Sequence, residues 1–159
     1  MNDYKTYLDD GLYDINIGHF EDAIKKITKS IELKNDWEIS YFYRAVAYQA
    51  LENFDEAILD YTKSIQLNNK MTDAYYNRAK ILLSRKDVEN PDTNRAVEDL
   101  TQALKLDENF IDALYAMACA QKKLNNYKEA LSYLNKLLDL QPDAIHAKAL
   151  KKLLETKYL

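Results

Sequence analysis

The side chains that could do chemistry are few and badly placed for it. There are two histidines in 159 residues, His19 and His146, and one cysteine, Cys119. No HExxH, Gly-rich phosphate loop or GxSxG occurs, so none of the spacings that build a zinc protease, a nucleotide site or a nucleophile elbow is present. Cys119 has Lys122 and Lys123 one helical turn on, which would depress its pKa, but no histidine is placed to act as its base; a small half-buried thiol is the reading that fits. The adjacent carboxylates Asp9-Asp10, Asp55-Glu56 and Glu98-Asp99 resemble acid/base pairs only on paper. Consecutive helical residues point ~100° apart and do not face one another. The expectation is no catalytic residue, no metal site, no cofactor and no enzyme activity.

Bulk properties narrow the remaining classes. Apolar residues make up 47% and charged residues 30%, the profile of a folded chain able to build its own core. A net charge of −4, with Lys and Arg scattered among Asp and Glu, lacks the basic stripe of a nucleic-acid binder. A single cysteine cannot form an internal disulfide. No apolar run reaches the ~20 residues a bilayer demands, so no membrane partner is expected. Met1 to Asp10 lacks the layout of a signal peptide, and the expected location is the cytoplasm. Two Gly and two Pro provide too little turn material for many β-hairpins and point to long helices with short connections.

Those helices repeat. Asp22–Asn35, Glu56–Asn69, Arg95–Glu108 and Glu129–Pro142 align, with Ala23, Ala57, Ala96 and Ala130 at one place and separations of 34, 39 and 34. In the second segment Ala57, Ile58, Tyr61 and Ile65 form one stripe of a 3.6-residue period, with Asp60 and Lys63 on the opposite face. Phe20, Phe54 and Tyr127 stand three residues before the alanine, placed to pack under the start of this helix. A further helical stretch precedes each segment: Tyr4–Ile17, Trp37–Leu51, Thr72–Arg85 and Ile111–Leu124. The breaks Gly18-His19, Glu52-Asn53 and Asn125-Asn126 contain residues that tolerate a left-handed helix end. The third break, Lys86 to Asn90, carries the five extra residues, with Asn90 and Pro91 as N-cap and first helical residue.

This helix–turn–helix unit of 34 residues resembles the tetratricopeptide repeat family over nearly the whole chain. The family's small residues are matched by Gly11, Ala45, Ala79 and Ala118 in the first helices and by the four alanines in the second. Its later small position is matched by Ser30, Ser64 and Ala103, with Leu137 departing. Small residues let two helices cross closely. Asp10 and Asp14 stand where the family has apolar or aromatic residues. The resemblance implies an all-α, right-handed superhelical solenoid, a single domain 1–159 with repeats about 4–37, 38–71, 72–110 and 111–144. A C-terminal capping helix, about 143–159, would cover the last hydrophobic face with Ile145, Ala149, Leu150, Leu153 and Leu154.

The resemblance also implies a function: a non-catalytic module binding a peptide or protein segment in a concave groove lined by the first helices. Carried across position by position, that face contains Leu8, Asp9 and Leu12, then Phe42, Tyr43 and Val46, then Asp73, Tyr76, Asn77 and Lys80, then Asp112, Tyr115, Ala116 and Cys119. Aromatics with a polar tip are favoured at recognition surfaces. Some members hold the acidic tails of heat-shock chaperones with a clamp of basic and amide side chains. Here the matching places hold Leu8, Leu12, Tyr43, Asp73 and Asn77, so such a tail is not expected to bind. The alternative is an assembly module joined end to end. Residues 1–37 carry net −3 and residues 143–159 net +2, ends of opposite sign that would favour head-to-tail association.

Overall fold

The computed structural model describes residues 3–84 and 91–158. Among them are nine helices and no strand: α1 (Tyr4–Asn16), α2 (Phe20–Leu33), α3 (Glu38–Ala50), α4 (Phe54–Leu67), α5 (Thr72–Ser84), α6 (Pro91–Leu106), α7 (Ile111–Lys123), α8 (Tyr127–Leu140) and α9 (Ile145–Lys157). The chain divides into two compact units, residues 1–81 and 82–159. In the first, α1 packs on α2, α2 on α3 and α3 on α4; in the second, α6 packs on α7, α7 on α8 and α8 on α9.

The small residues sit where helices meet. Ala23, Ala57, Ala96 and Ala130, and Ala45, Ala79 and Ala118, are all fully buried. Gly11 shows why: a Cβ there would lie 2.5 Å from Ile27 Cγ1, inside contact distance of a branched side chain with no space to retreat into. Phe20, Phe54 and Tyr127 open α2, α4 and α8 and pack against the cores of their hairpins.

The helix ends follow left-handed turns. Gly18 (φ 80°), Glu52 (φ 59°) and Asn125 (φ 62°) take positive φ. Of the pair Glu52-Asn53, the glutamate rather than the asparagine adopts it, because it follows the C-cap Leu51, the place that Gly18 and Asn125 hold after Ile17 and Leu124. Helix α6 begins at Pro91; the proposed cap Asn90 and the insertion 86–90 lie outside the described residues.

Two acidic residues are buried, Asp60 against the sequence reading and Asp14 at a place where the resembling family has an apolar or aromatic residue. Asp60, expected on a solvated face, is buried at 6% exposure, and Asp14 at 5%. Each has a cation brought to it from another helix: Arg44 Nε lies 2.6 Å from Asp60 and Lys26 Nζ 2.7 Å from Asp14. The stripe on α9 also differs. Ala147, Leu150 and Leu154 face its core, whereas Ile145 is 77% exposed, Leu153 40%, and Ala149 is exposed. A helix packed on one neighbour buries a narrow stripe only.

Candidate functional site

In the first unit the residues expected to face a ligand gather along α3 and α5. Phe42 and Tyr43 are half-buried, their rings 5.2 Å apart at 80°, and Phe42 lies 5.7 Å from the buried ring of Tyr61. They line a cleft of about 290 Å³ with Ile39, Met71 and, at its rim, Lys70 and Asp73. A second cleft of about 330 Å³ lies one turn further along both helices, lined by Val46, Gln49, Tyr61, Asn77 and Lys80. Lys80 Nζ stands 5.8 Å from the centre of the Tyr76 ring, a cation–π arrangement that keeps both groups at the surface.

Polar groups hold this furrow in place. The Tyr61 hydroxyl donates to Gln49 Oε1 at 2.8 Å. Burial drives its pKa well up and the charge of Asp73 adds to that, while a hydrogen bond from Asn77 opposes both. The phenol is therefore neutral and its proton is committed to Gln49. Leu8 does not belong to this surface. It is 3% exposed, in a core with Ala23, Ile27 and Ile31, and Leu12 packs against the same core. The first helix turns its leucines inward because α2 and α3 both pack beside it.

In the second unit Asp112 and Tyr115 line a cleft of about 360 Å³ shared with Leu137, Asp143, Ile145 and His146. Cys119 is half-buried beneath Tyr115. Burial raises its pKa, outweighing the Tyr115 hydrogen bond and the two lysines that pull the other way. The lysines alone suggested a depressed thiol; desolvation by the surrounding helices, a tertiary effect, reverses the sign. Burial likewise raises the pKa of Tyr115. Among the described residues no group of three or more His, Cys, Asp or Glu could hold a metal ion, and no helix is long and apolar enough to cross a membrane.

The sequence reading missed Ile39, Lys70 and Met71 at the first cleft and Asp143, Ile145 and His146 at the last. Most of them lie at helix starts or in the short link before one, where helical periodicity gives no signal. It also missed the support behind α3, where Arg44 joins Asp60 of α4 and Thr28 of α2. Its recurrence was available: Arg78, 34 residues later, donates to Thr62 Oγ1 at 2.8 Å just as Arg44 donates to Thr28.

Comparisons with known proteins agree with this architecture. The family described as tetratricopeptide repeat matches residues 39–71, and that described as Fis1 C-terminal tetratricopeptide repeat matches residues 111–158. A crystal structure of MamA superposes with a TM-score of 0.80 and 25% identity, covering 87% of this chain and 78% of that one. The first tetratricopeptide domain of Spaghetti (RPAP3), bound to the HSP90 peptide SRMEEVD, superposes with a TM-score of 0.68 and 21% identity, covering 74% of this chain and 90% of that one. Human sperm-associated antigen 1 is 43% identical over 53 residues, a match spanning 33% of this chain and 6% of that protein. The chain belongs to the tetratricopeptide repeat family.

Proposed function

We propose that the protein is a non-catalytic interaction module that binds a peptide or protein segment along the face formed by its first helices. Arrays of this kind expose long surfaces on which short segments of a partner can lie. The observation that carries the reading is the furrow between α3 and α5: two neighbouring clefts whose walls hold half-exposed aromatics, Phe42 and Tyr43, with Asp73, Asn77 and Lys80 between them. Phe42, Tyr43, Tyr76 and Tyr115 are the energetic anchors, since interfaces concentrate binding energy in a few large side chains that lose little rotamer freedom. Asp73, Asn77, Lys80 and Asp112 set register and orientation by hydrogen bonding, and Val46 and Cys119 add apolar surface to the same face. Leu12 contributes its half-exposed edge, and Leu8 acts only by supporting α1 from the core.

The test is the double substitution Tyr43→Ala with Tyr76→Ala, checked for folding by circular dichroism and used beside the wild type in quantitative pull-downs from the native cell. Partners recovered by the wild type are expected to drop out. A folded double variant that recovers the same partners in the same yield would remove this face as the site.

A further inference from the structure

Helix α9 occupies the place beside α7 that α5 occupies beside α3. Phe42 and Tyr115, Lys70 and Asp143, Asp73 and His146, and Ala74 and Ala147 are separated by the same interval as the small residues Ala45 and Ala118. The clefts they line correspond as well. Helix α9 thus stands to α7 as one first helix stands to the next, and its starting residues complete a cleft of the same kind within the second unit.

The two clefts share an aromatic wall but differ in charge. The first has Ile39, Lys70 and Asp73 where the second has Asp112, His146 and a second carboxylate, Asp143. Neither Asp112 nor Asp143 has a side-chain ion pair among the described residues. At the mouth Ile145 is 77% exposed, a large apolar side chain beside two carboxylates. A cation would be attracted by both acids at once, and an acidic group repelled by both.

We propose that the α7–α9 cleft binds a partner segment that presents a bulky aliphatic side chain next to a lysine or arginine. The aliphatic group packs on Tyr115 and Ile145, and the cation lies between Asp112 and Asp143. This rests on reading the array as a peptide-binding surface, and it names the chemistry selected at one end of it.

Short random peptides displayed for selection on the wild-type chain test the idea, followed by titration of the best acetylated, amidated peptide against three variants. Selected peptides are expected to pair Lys or Arg with Leu, Ile or Phe. Affinity is expected to fall about tenfold in Asp112→Asn with Asp143→Asn, to weaken with salt, and to persist in the charge-matched control Glu32→Gln with Glu56→Gln, exposed carboxylates of α2 and α4. Peptides lacking a basic residue, or affinities unmoved by the carboxamide variant, would overturn the proposal. If those same peptides were lost in Tyr43→Ala with Tyr76→Ala, the α3–α5 reading would stand without it. Light scattering that shows a dimer abolished by Ile145→Ser would also overturn it, since the occupant would then be a second copy.

Discussion

The guanidinium of Arg44 grips the carboxylate of Asp60 with two parallel hydrogen bonds, Nε to Oδ2 at 2.6 Å and a terminal nitrogen to Oδ1 at 2.9 Å. A third bond, to Thr28 Oγ1 at 3.1 Å, ties the same guanidinium to the preceding hairpin. Lysine has no such fork and cannot replace it.

Removing one partner leaves a buried charge. Asp60→Ala is expected to cost roughly 3 kcal/mol in chemical denaturation. Arg44→Met combined with Asp60→Leu should recover much of that loss, because neither charge then remains desolvated. Equal stability of the single and double variants would show that the pair is not energetically coupled.

Ser30 and Ser64 hold equivalent buried positions with different surroundings. Ser30 Oγ shares a hydrogen bond with Ser40 Oγ at 2.9 Å, whereas the place equivalent to Ser40 in the next repeat is Ala74 and Ser64 Oγ has no partner among the described residues. Ser30→Ala is expected to destabilise by about 1–2 kcal/mol by orphaning Ser40, and Ser64→Ala to be neutral or stabilising. Thermal melts of the two variants provide the comparison, and equal losses would refute it.

Glu52 holds a left-handed conformation that costs a side chain-bearing residue strain and costs glycine none. Glu52→Gly is expected to stabilise by about 0.5–1 kcal/mol. Gly18→Ala should destabilise by a similar amount through the backbone alone, since nothing lies within 4 Å of an added Cβ. Urea midpoints moving in the opposite directions would contradict both statements.

The raised pKa of Cys119 fixes the sign of a reactivity test. Alkylation by iodoacetamide needs the thiolate, so at mildly alkaline pH it should run slower than with a free cysteine peptide. Its pH midpoint should lie higher. Lys122→Gln with Lys123→Gln should move that midpoint further up, because both cations favour the thiolate. A midpoint below that of the peptide would show that the lysines outweigh burial.

The HSP90 peptide SRMEEVD, held by the Spaghetti domain, meets the wrong chemistry here. Leu8 is buried, Asp73 is an exposed anion, and Asn77 is engaged with Tyr61. Calorimetry is expected to show a Kd weaker than about 100 μM, roughly −5.5 kcal/mol. Low-micromolar binding would contradict this.

Helix identity, repeat length and the buried alanines could be read from the residues alone, because the 3.6-residue period and the recurrence of Ala23, Ala57, Ala96 and Ala130 are local, one-dimensional signals. Three things were decided only by tertiary structure. Asp60 and Asp14 entered the interior because cations on other helices reached them, and Leu8 left the ligand face because α2 and α3 pack beside α1. The clefts took their outlines from link residues such as Met71 and Asp143, whose positions depend on how one hairpin packs against the next. Periodicity along a chain specifies which side of a helix is apolar. Which neighbour meets that side, and what charge it brings, depends on packing between segments distant in sequence.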